Sequence, residues 1–86
     1  MWNVSINHVA WELDSTILMD RDDGCLFRIE ISRASMPHGA IAQLLEYRGD
    51  VYLLIDNIWL RVHSTKPQSS PQMVQSLATD WAKMFT

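Results

Sequence analysis

The alternation of apolar and polar residues is clearest in the stretch VYLLIDNIWLRVH, residues 51 to 63. Two runs rich in β-branched and aromatic residues flank Asp56-Asn57, and both of these residues tolerate positive φ. This pattern predicts a β-hairpin with a two-residue loop. The loop fixes the register. The expected pairs are Ile55 with Ile58, Leu54 with Trp59, Leu53 with Leu60, Tyr52 with Arg61, and Val51 with Val62.

Because side chains alternate along a strand, the predicted hairpin has two different faces. The apolar face consists of Val51, Leu53, Ile55, Ile58, Leu60 and Val62. The other face is aromatic and cationic and consists of Tyr52, Leu54, Trp59, Arg61 and, by the same alternation, His63. Aromatic and Arg side chains are typical of binding hot spots, so these five are candidate partner-binding residues. Alternatively, this face packs against a helix and belongs to the core.

A second hairpin is expected between Thr16 and Arg33. Its tip, Asp22-Asp23-Gly24, fits a three-residue loop, with Gly24 in the left-handed region. The resulting pairs are Arg21 with Cys25, Met19 with Phe27, and Ile17 with Ile29. Before this hairpin, Trp2 to Leu13 is expected to be extended, with a bulge or bend where the apolar face changes. Asp14-Ser15 is expected to be a turn.

The segment from Ser35 to Tyr47 carries two conflicting patterns. Ala, Gln, Leu and Glu at positions 40 to 46 favour a helix, with Ser35 as its cap and Gly49 just after its end. The apolar residues Ile41, Leu45 and Tyr47 also alternate, which favours a strand that turns at residues 47 to 50 into the central hairpin. We predict the helix and keep the strand as the alternative.

The C-terminal residues predict an amphipathic helix after a short linker at residues 64 to 70. Ser69 or Ser70 can cap this helix, and Pro71 fits its first turn. An apolar stripe follows at helical spacing. Its members are Met73, Val74, Leu77, Ala78, Trp81, Met84 and Phe85. The expected fold is therefore α+β: a small antiparallel sheet of about five strands built from hairpins, with the C-terminal helix on its apolar face. A second short helix at 35–47 is one of the two interpretations of that segment.

Length and composition limit the classes of function. The 86 residues form one expected domain, 1–86, with a net charge of −3 and a single cysteine, which excludes an internal disulfide. The N-terminal residues lack the pattern of a signal peptide, and no apolar run is long enough to cross a membrane, so a cytoplasmic protein without membrane contact is expected.

The chemistry-bearing residues form no recognisable catalytic or metal-binding motif. His8, His38 and His63 occur singly, without the spacing of metal ligands. Cys25 is expected beside a hairpin tip, as an ordinary small strand residue. We therefore expect no enzyme, no metal and no cofactor.

Two functional hypotheses remain. The first is a protein-interaction module of the adaptor, chaperone or inhibitor type that binds a larger partner or forms a homodimer, because a chain this small is rich in Trp and Met and only marginally stable alone. The second is single-stranded nucleic-acid binding, with Tyr52 and Trp59 stacking on bases and Arg28, Arg48 and Arg61 contacting phosphates. The acidic net charge weakens the second hypothesis.

Overall fold

Sequential strands are spatial neighbours in this chain. The structure is a computed structural model that describes residues 10–38 and 42–86. The elements are β1 (Glu12–Asp20), β2 (Leu26–His38), β3 (Ala42–Ile55), β4 (Ile58–Ser64) and α1 (Pro71–Met84). The strands form one antiparallel sheet in the order β1-β2-β3-β4. The α+β class is confirmed, with four strands in the described residues. Most of the extended structure expected from Trp2 to Leu13 falls on residues 1–9, which are outside the described residues.

The central hairpin has the predicted two-residue loop. Asp56 and Asn57 have φ values of 52° and 64°, the left-handed values that such a loop requires. Of the predicted pairs, those from Ile55 with Ile58 to Tyr52 with Arg61 are confirmed.

The last predicted pair of this hairpin is wrong. Val51 pairs with His63, because β4 contains a bulge after Arg61. Val62 is therefore an extra residue in β4, and beyond it the alternation of faces changes.

The hairpin between β1 and β2 also has the predicted register. Met19 pairs with Phe27 and Ile17 with Ile29. The backbone N–H of Arg21 donates to the carbonyl of Cys25 over 2.9 Å, and Gly24 has a φ of 90°. The expected turn at Asp14-Ser15 is wrong, since β1 runs through these residues with a bulge between Leu13 and Ser15.

The predicted helix at 35–47 is wrong. The described residues of this segment belong to β2 and β3, which pair with each other from Phe27 with Leu53 to His38 with Ala42. The turn at residues 47 to 50 is also wrong, because β3 continues through them. Local helix propensity amounts to less than about 1 kcal/mol per residue, and long-range pairing overrides it here.

The predicted C-terminal helix is confirmed, and its cap is Ser70. The hydroxyl of Ser70 accepts a hydrogen bond of 3.3 Å from the backbone N–H of Met73, and Pro71 begins the helix. The apolar stripe is only partly covered: its members Val74 and Ala78 are buried, whereas Met73, Leu77 and Met84 are exposed. Ala82 lies outside the predicted stripe and is also buried, so it belongs to the core.

The core lies between α1 and the middle of the sheet. Its fully or almost fully buried residues are Phe27, Ile29, Ile31, Val51, Leu53, Val74, Ala78 and Ala82. The helix packs mainly on β3 and β2. This leaves the opposite face of the sheet outside the helix interface.

The segment predicted as a linker is fixed to β3. Tyr47 and Gln68 exchange two backbone hydrogen bonds of 2.7 and 2.9 Å. The Thr65 hydroxyl accepts from the backbone N–H of Gly49 over 3.0 Å. These contacts hold the start of α1 over the sheet.

Arg21 joins the β1–β2 hairpin to the end of α1. Its guanidinium donates to the carbonyl oxygens of Ala82, at 2.7 Å, and Phe85, a favourable position because the C-terminus of a helix carries partial negative charge. The same guanidinium makes two hydrogen bonds of 3.0 and 2.6 Å to Asp23. These bonds hold the pKa of the Asp23 carboxyl well below its usual range and raise the pKa of Arg21.

Candidate functional site

In the part of the chain that the structure describes, no helix covers the face of the sheet opposite α1, and this face carries the predicted aromatic residues. The register aligns their side chains in two rows across all four strands. One row is Leu18, Arg28, Tyr52 and Arg61; the next is Asp20, Leu26, Leu54 and Trp59. We call these eight residues the helix-free surface. Of the two interpretations made from the sequence, packing of this face under α1 is excluded, because α1 covers the other side.

Arg28 is the centre of the helix-free surface. Its guanidinium carbon lies 4.7 Å from the ring centroid of Tyr52 and 4.8 Å from that of Trp59. Both distances are within the range of cation–π attraction. Arg61 is the cross-strand neighbour of Tyr52, as predicted, and the ring contact given by the structure is that with Arg28.

Acidic residues next to this surface neutralise part of its positive charge. Arg28 Nε lies 3.3 Å from a carboxylate oxygen of Glu30. Farther along the same face, Arg48 pairs with Asp50 at 3.3 Å, and its guanidinium carbon lies 4.7 Å from the ring centroid of Trp11. Arg61 is exposed and has no acidic partner among residues 10–38 and 42–86. This face is therefore mixed in charge, with one unpaired cation at the β4 edge.

The side chain of Arg28 contains a buried hydrogen-bond donor without an acceptor. This donor is Nε, and the nearby Glu30 oxygen lies outside hydrogen-bonding geometry. A buried unsatisfied donor carries a free-energy cost. The guanidinium is thus held by its ring contacts and by the nearby carboxylate charge.

His63 does not lie on the predicted face. The bulge at Val62 turns it to the side of α1, where its ring stacks on that of Trp81 with centroids 4.4 Å apart and an angle of 4° between the planes. Tyr52, Leu54, Trp59 and Arg61 remain together on the face opposite α1. His63 is separated from them by the sheet.

A groove lies on the helix side, between α1 and the end of β4 with the segment that follows it. Its volume is about 650 Å³, and it is lined by His63 and Lys66 on one side and by Leu77, Trp81 and Met84 of α1 on the other. The exposed part of the predicted apolar stripe thus forms one wall of this groove. The groove and the helix-free surface lie on opposite faces of the sheet.

Neither surface assembles a recognisable catalytic or metal-binding group. In the part of the chain that the structure describes, no three His, Cys, Asp or Glu side chains are grouped as metal ligands. The Cys25 sulfur is 3.6 Å from a guanidinium nitrogen of Arg21, beside the hairpin tip. Within the same described residues, no helix combines the length and apolarity needed to cross a bilayer. His8 lies outside them.

The position of Arg28 is the feature of this surface that sequence reasoning missed. The sequence suggested Arg28 only as a phosphate contact. Its place beside Tyr52 follows from the pairing of β2 with β3, which the preference for a helix at 35–47 concealed. Extending β2 as a strand and pairing it with Val51 to Ile55 would have revealed the contact.

Comparisons of the chain with protein-family models, with curated proteins and with solved structures give no match.

Proposed function

We propose that the protein is a non-enzymatic protein-interaction module that binds a partner protein through its helix-free surface. The observation that carries this proposal is the contact of Arg28 with both Tyr52 and Trp59 on the sheet face opposite α1. Arg, Tyr and Trp are the residues most enriched at binding hot spots. Contacts that hold these side chains in place before binding reduce the entropy lost when a partner docks.

The charges favour a protein over a nucleic acid as the partner. Arg28 and Arg48 already lie beside carboxylates, so two of the three cations once suggested as phosphate contacts are partly neutralised. The rings of Tyr52 and Trp59 each have Arg28 against them, which reduces the area available for base stacking. Single-strand binding requires free cations and free ring faces.

The same residues indicate the chemistry of the partner. Leu18 is 64% exposed and, with the half-buried Leu26 and Leu54, gives the surface an apolar part. Arg61 supplies the unpaired cation. A complementary partner surface would place apolar side chains over the leucines and a carboxylate against Arg61.

Affinity capture from the native cell tests this proposal. The full chain is immobilised as wild type, Tyr52→Ala, Arg61→Glu and Arg33→Glu. Arg33 is half exposed but lies outside the helix-free surface, so Arg33→Glu is the matched control for reversal of an arginine charge. Thermal unfolding of each variant establishes that it is folded.

We expect to find a partner protein that wild type and Arg33→Glu both retain. The same protein should be lost with Tyr52→Ala and with Arg61→Glu. If every retained protein survives both changes, the helix-free surface is not the binding site. A fluorescent single-stranded oligonucleotide at low salt tests the alternative, and binding that is lost in the same two variants would favour nucleic acid.

A further inference from the structure

The two edges of the sheet differ in their protection against pairing with another strand. β1 carries Glu12, Asp14 and Asp20 and has a bulge after Leu13. Charges and bulges are common devices that prevent edge-to-edge association. β4 has only Arg61 as a charged residue between Ile58 and Val62, it has no proline or glycine there, and its bulge lies at the end of this stretch, after Arg61. Among the described residues, the β4 edge from Ile58 to Arg61 is therefore the less protected one.

The backbone of β4 has groups available for pairing. Ile55 and Ile58 close the two-residue loop, so hydrogen-bonded pairs alternate along the hairpin from that point. The N–H and C=O groups of Trp59 and Arg61 consequently point away from β3. Since β4 is an edge strand among the described residues, these groups have no strand to pair with there.

Apolar side chains surround this edge on the helix side. Ile58 is 59% and Leu60 46% exposed, and both share the face on which α1 packs. Leu77 and Met84 of α1 are also exposed, and they line the groove opposite the end of β4 and the segment after it.

We propose that β4 pairs antiparallel with β4 of a second copy of this chain, around a two-fold axis that lies midway between Leu60 and its copy. Residues directly opposite in a sheet point to the same face, so every such register places one residue opposite its own copy, and we name the axis after that residue. With the Leu60 axis, Ile58 lies opposite Val62 of the second copy and Trp59 lies opposite its Arg61. Each aromatic residue then meets a cation, which is favourable.

The neighbouring registers are less favourable. The Arg61 axis places two arginines directly opposite each other, and like charges in this position repel. The Trp59 axis extends the pairing into Asn57, which has positive φ and belongs to the loop. The Leu60 register pairs residues 58 to 62, so it avoids the loop and reaches the bulge only at Val62.

The exposed apolar side chains at the β4 edge, Ile58 and Leu60, provide surface that a dimer would bury. The dimer places both helices on one side of a continuous sheet and the two helix-free surfaces next to each other on the other, whether or not those surfaces bind a partner.

The position of Leu60 beside the axis gives a specific test. We expect light scattering of the full chain to give twice the monomer mass of 9.9 kDa. Leu60→Lys and Leu60→Glu each bring two like charges together, so each variant alone is expected to have half the wild-type mass. Their equimolar mixture is expected to recover the full mass, because opposite charges then meet. Leu44→Lys, at a similarly exposed leucine outside β4, is the control and remains dimeric.

A second variant tests the register independently of charge. In a Cys25→Ser background, Leu60→Cys is expected to form an interchain disulfide on oxidation, whereas Ile58→Cys, which lies opposite Val62, is not. A monomeric wild type at all concentrations, a dimer that survives Leu60→Lys, or a charged pair that fails to recover would each overturn the proposal. A β4 edge that pairs only with a strand of another protein would appear as a monomeric wild type.

Discussion

A β-carbon at Gly49 would lie 2.8 Å from Cγ1 of Val74, closer than real side chains approach. The missing side chain at Gly49 therefore allows the first turns of α1 to contact β3 directly. The same glycine pairs with Thr65 through its backbone N–H and C=O. This one position joins the sheet, the segment after β4 and the helix.

Gly49→Ala is expected to lower the free energy of unfolding by about 1–3 kcal/mol, the usual cost of overpacking a core. Chemical denaturation measures this loss. In a Val74→Ala background the same change has room for its methyl group, so its cost is expected to be smaller. An equal cost in both backgrounds would contradict the close contact.

The loop of the central hairpin gives a second prediction. Asn57 has a φ of 64°, which a β-branched residue adopts poorly. Asn57→Val is expected to destabilise the fold by about 1–2 kcal/mol, whereas Asn57→Gly keeps or increases its stability. Thermal unfolding of the two variants checks this difference, and equal midpoints would contradict the loop geometry.

A third prediction concerns acid. Hydrogen bonds from Arg21 lower the pKa of Asp23 in the folded state, so Asp23 stabilises the fold above its unfolded pKa of about 3.9, and this contribution is lost as the pH falls. We expect the free energy of unfolding of wild type to exceed that of Asp23→Asn by the largest amount at neutral pH. This difference is expected to shrink below about pH 4. Urea unfolding at pH 7 and pH 3 measures it.

Asp22→Asn, in the same loop, is the matched control for Asp23→Asn. We expect the difference in unfolding free energy between wild type and Asp22→Asn to change less between pH 7 and pH 3 than the difference for Asp23→Asn does. A gap between wild type and Asp23→Asn that stays constant down to pH 3 would contradict the pairing of Asp23 with Arg21.

The contact between Arg28 and Trp59 gives a fourth prediction. A double-mutant cycle with Arg28→Ala and Trp59→Ala is expected to give a favourable coupling energy of about 0.5–1 kcal/mol, as for a partly exposed cation–π pair. Unfolding free energies of the four proteins provide this value. Arg33→Ala with Trp59→Ala is the control cycle and should be additive. Additivity in both cycles would show that the contact between Arg28 and the Trp59 ring does not stabilise the fold.

The parts of the fold that the sequence predicted are those determined by neighbouring residues. The loops at Asp56-Asn57 and at Gly24 require residues that accept positive φ, and the sequence places such residues between alternating apolar runs. Ser70 and Pro71 mark the start of α1 in the same local way. The register of each hairpin near its loop follows directly.

The parts that the sequence did not predict depend on distant contacts. Gly49 resembles a helix end by composition, and only the approach of Val74 explains its place inside a strand. The bulge at Val62 reverses the face of His63 without any turn residue to indicate it. Arg28 joins the candidate surface through pairing between β2 and β3, which local patterns do not specify.

Site-specific photo-cross-linking in the native cell tests the proposed protein-binding function most directly. A photoreactive amino acid replaces Leu54 on the helix-free surface or, as the control, the exposed Gln75 on α1. We predict a cross-linked product with another protein from position 54 and none from position 75. The same products from both positions, or only nucleic acid at position 54, would contradict the account.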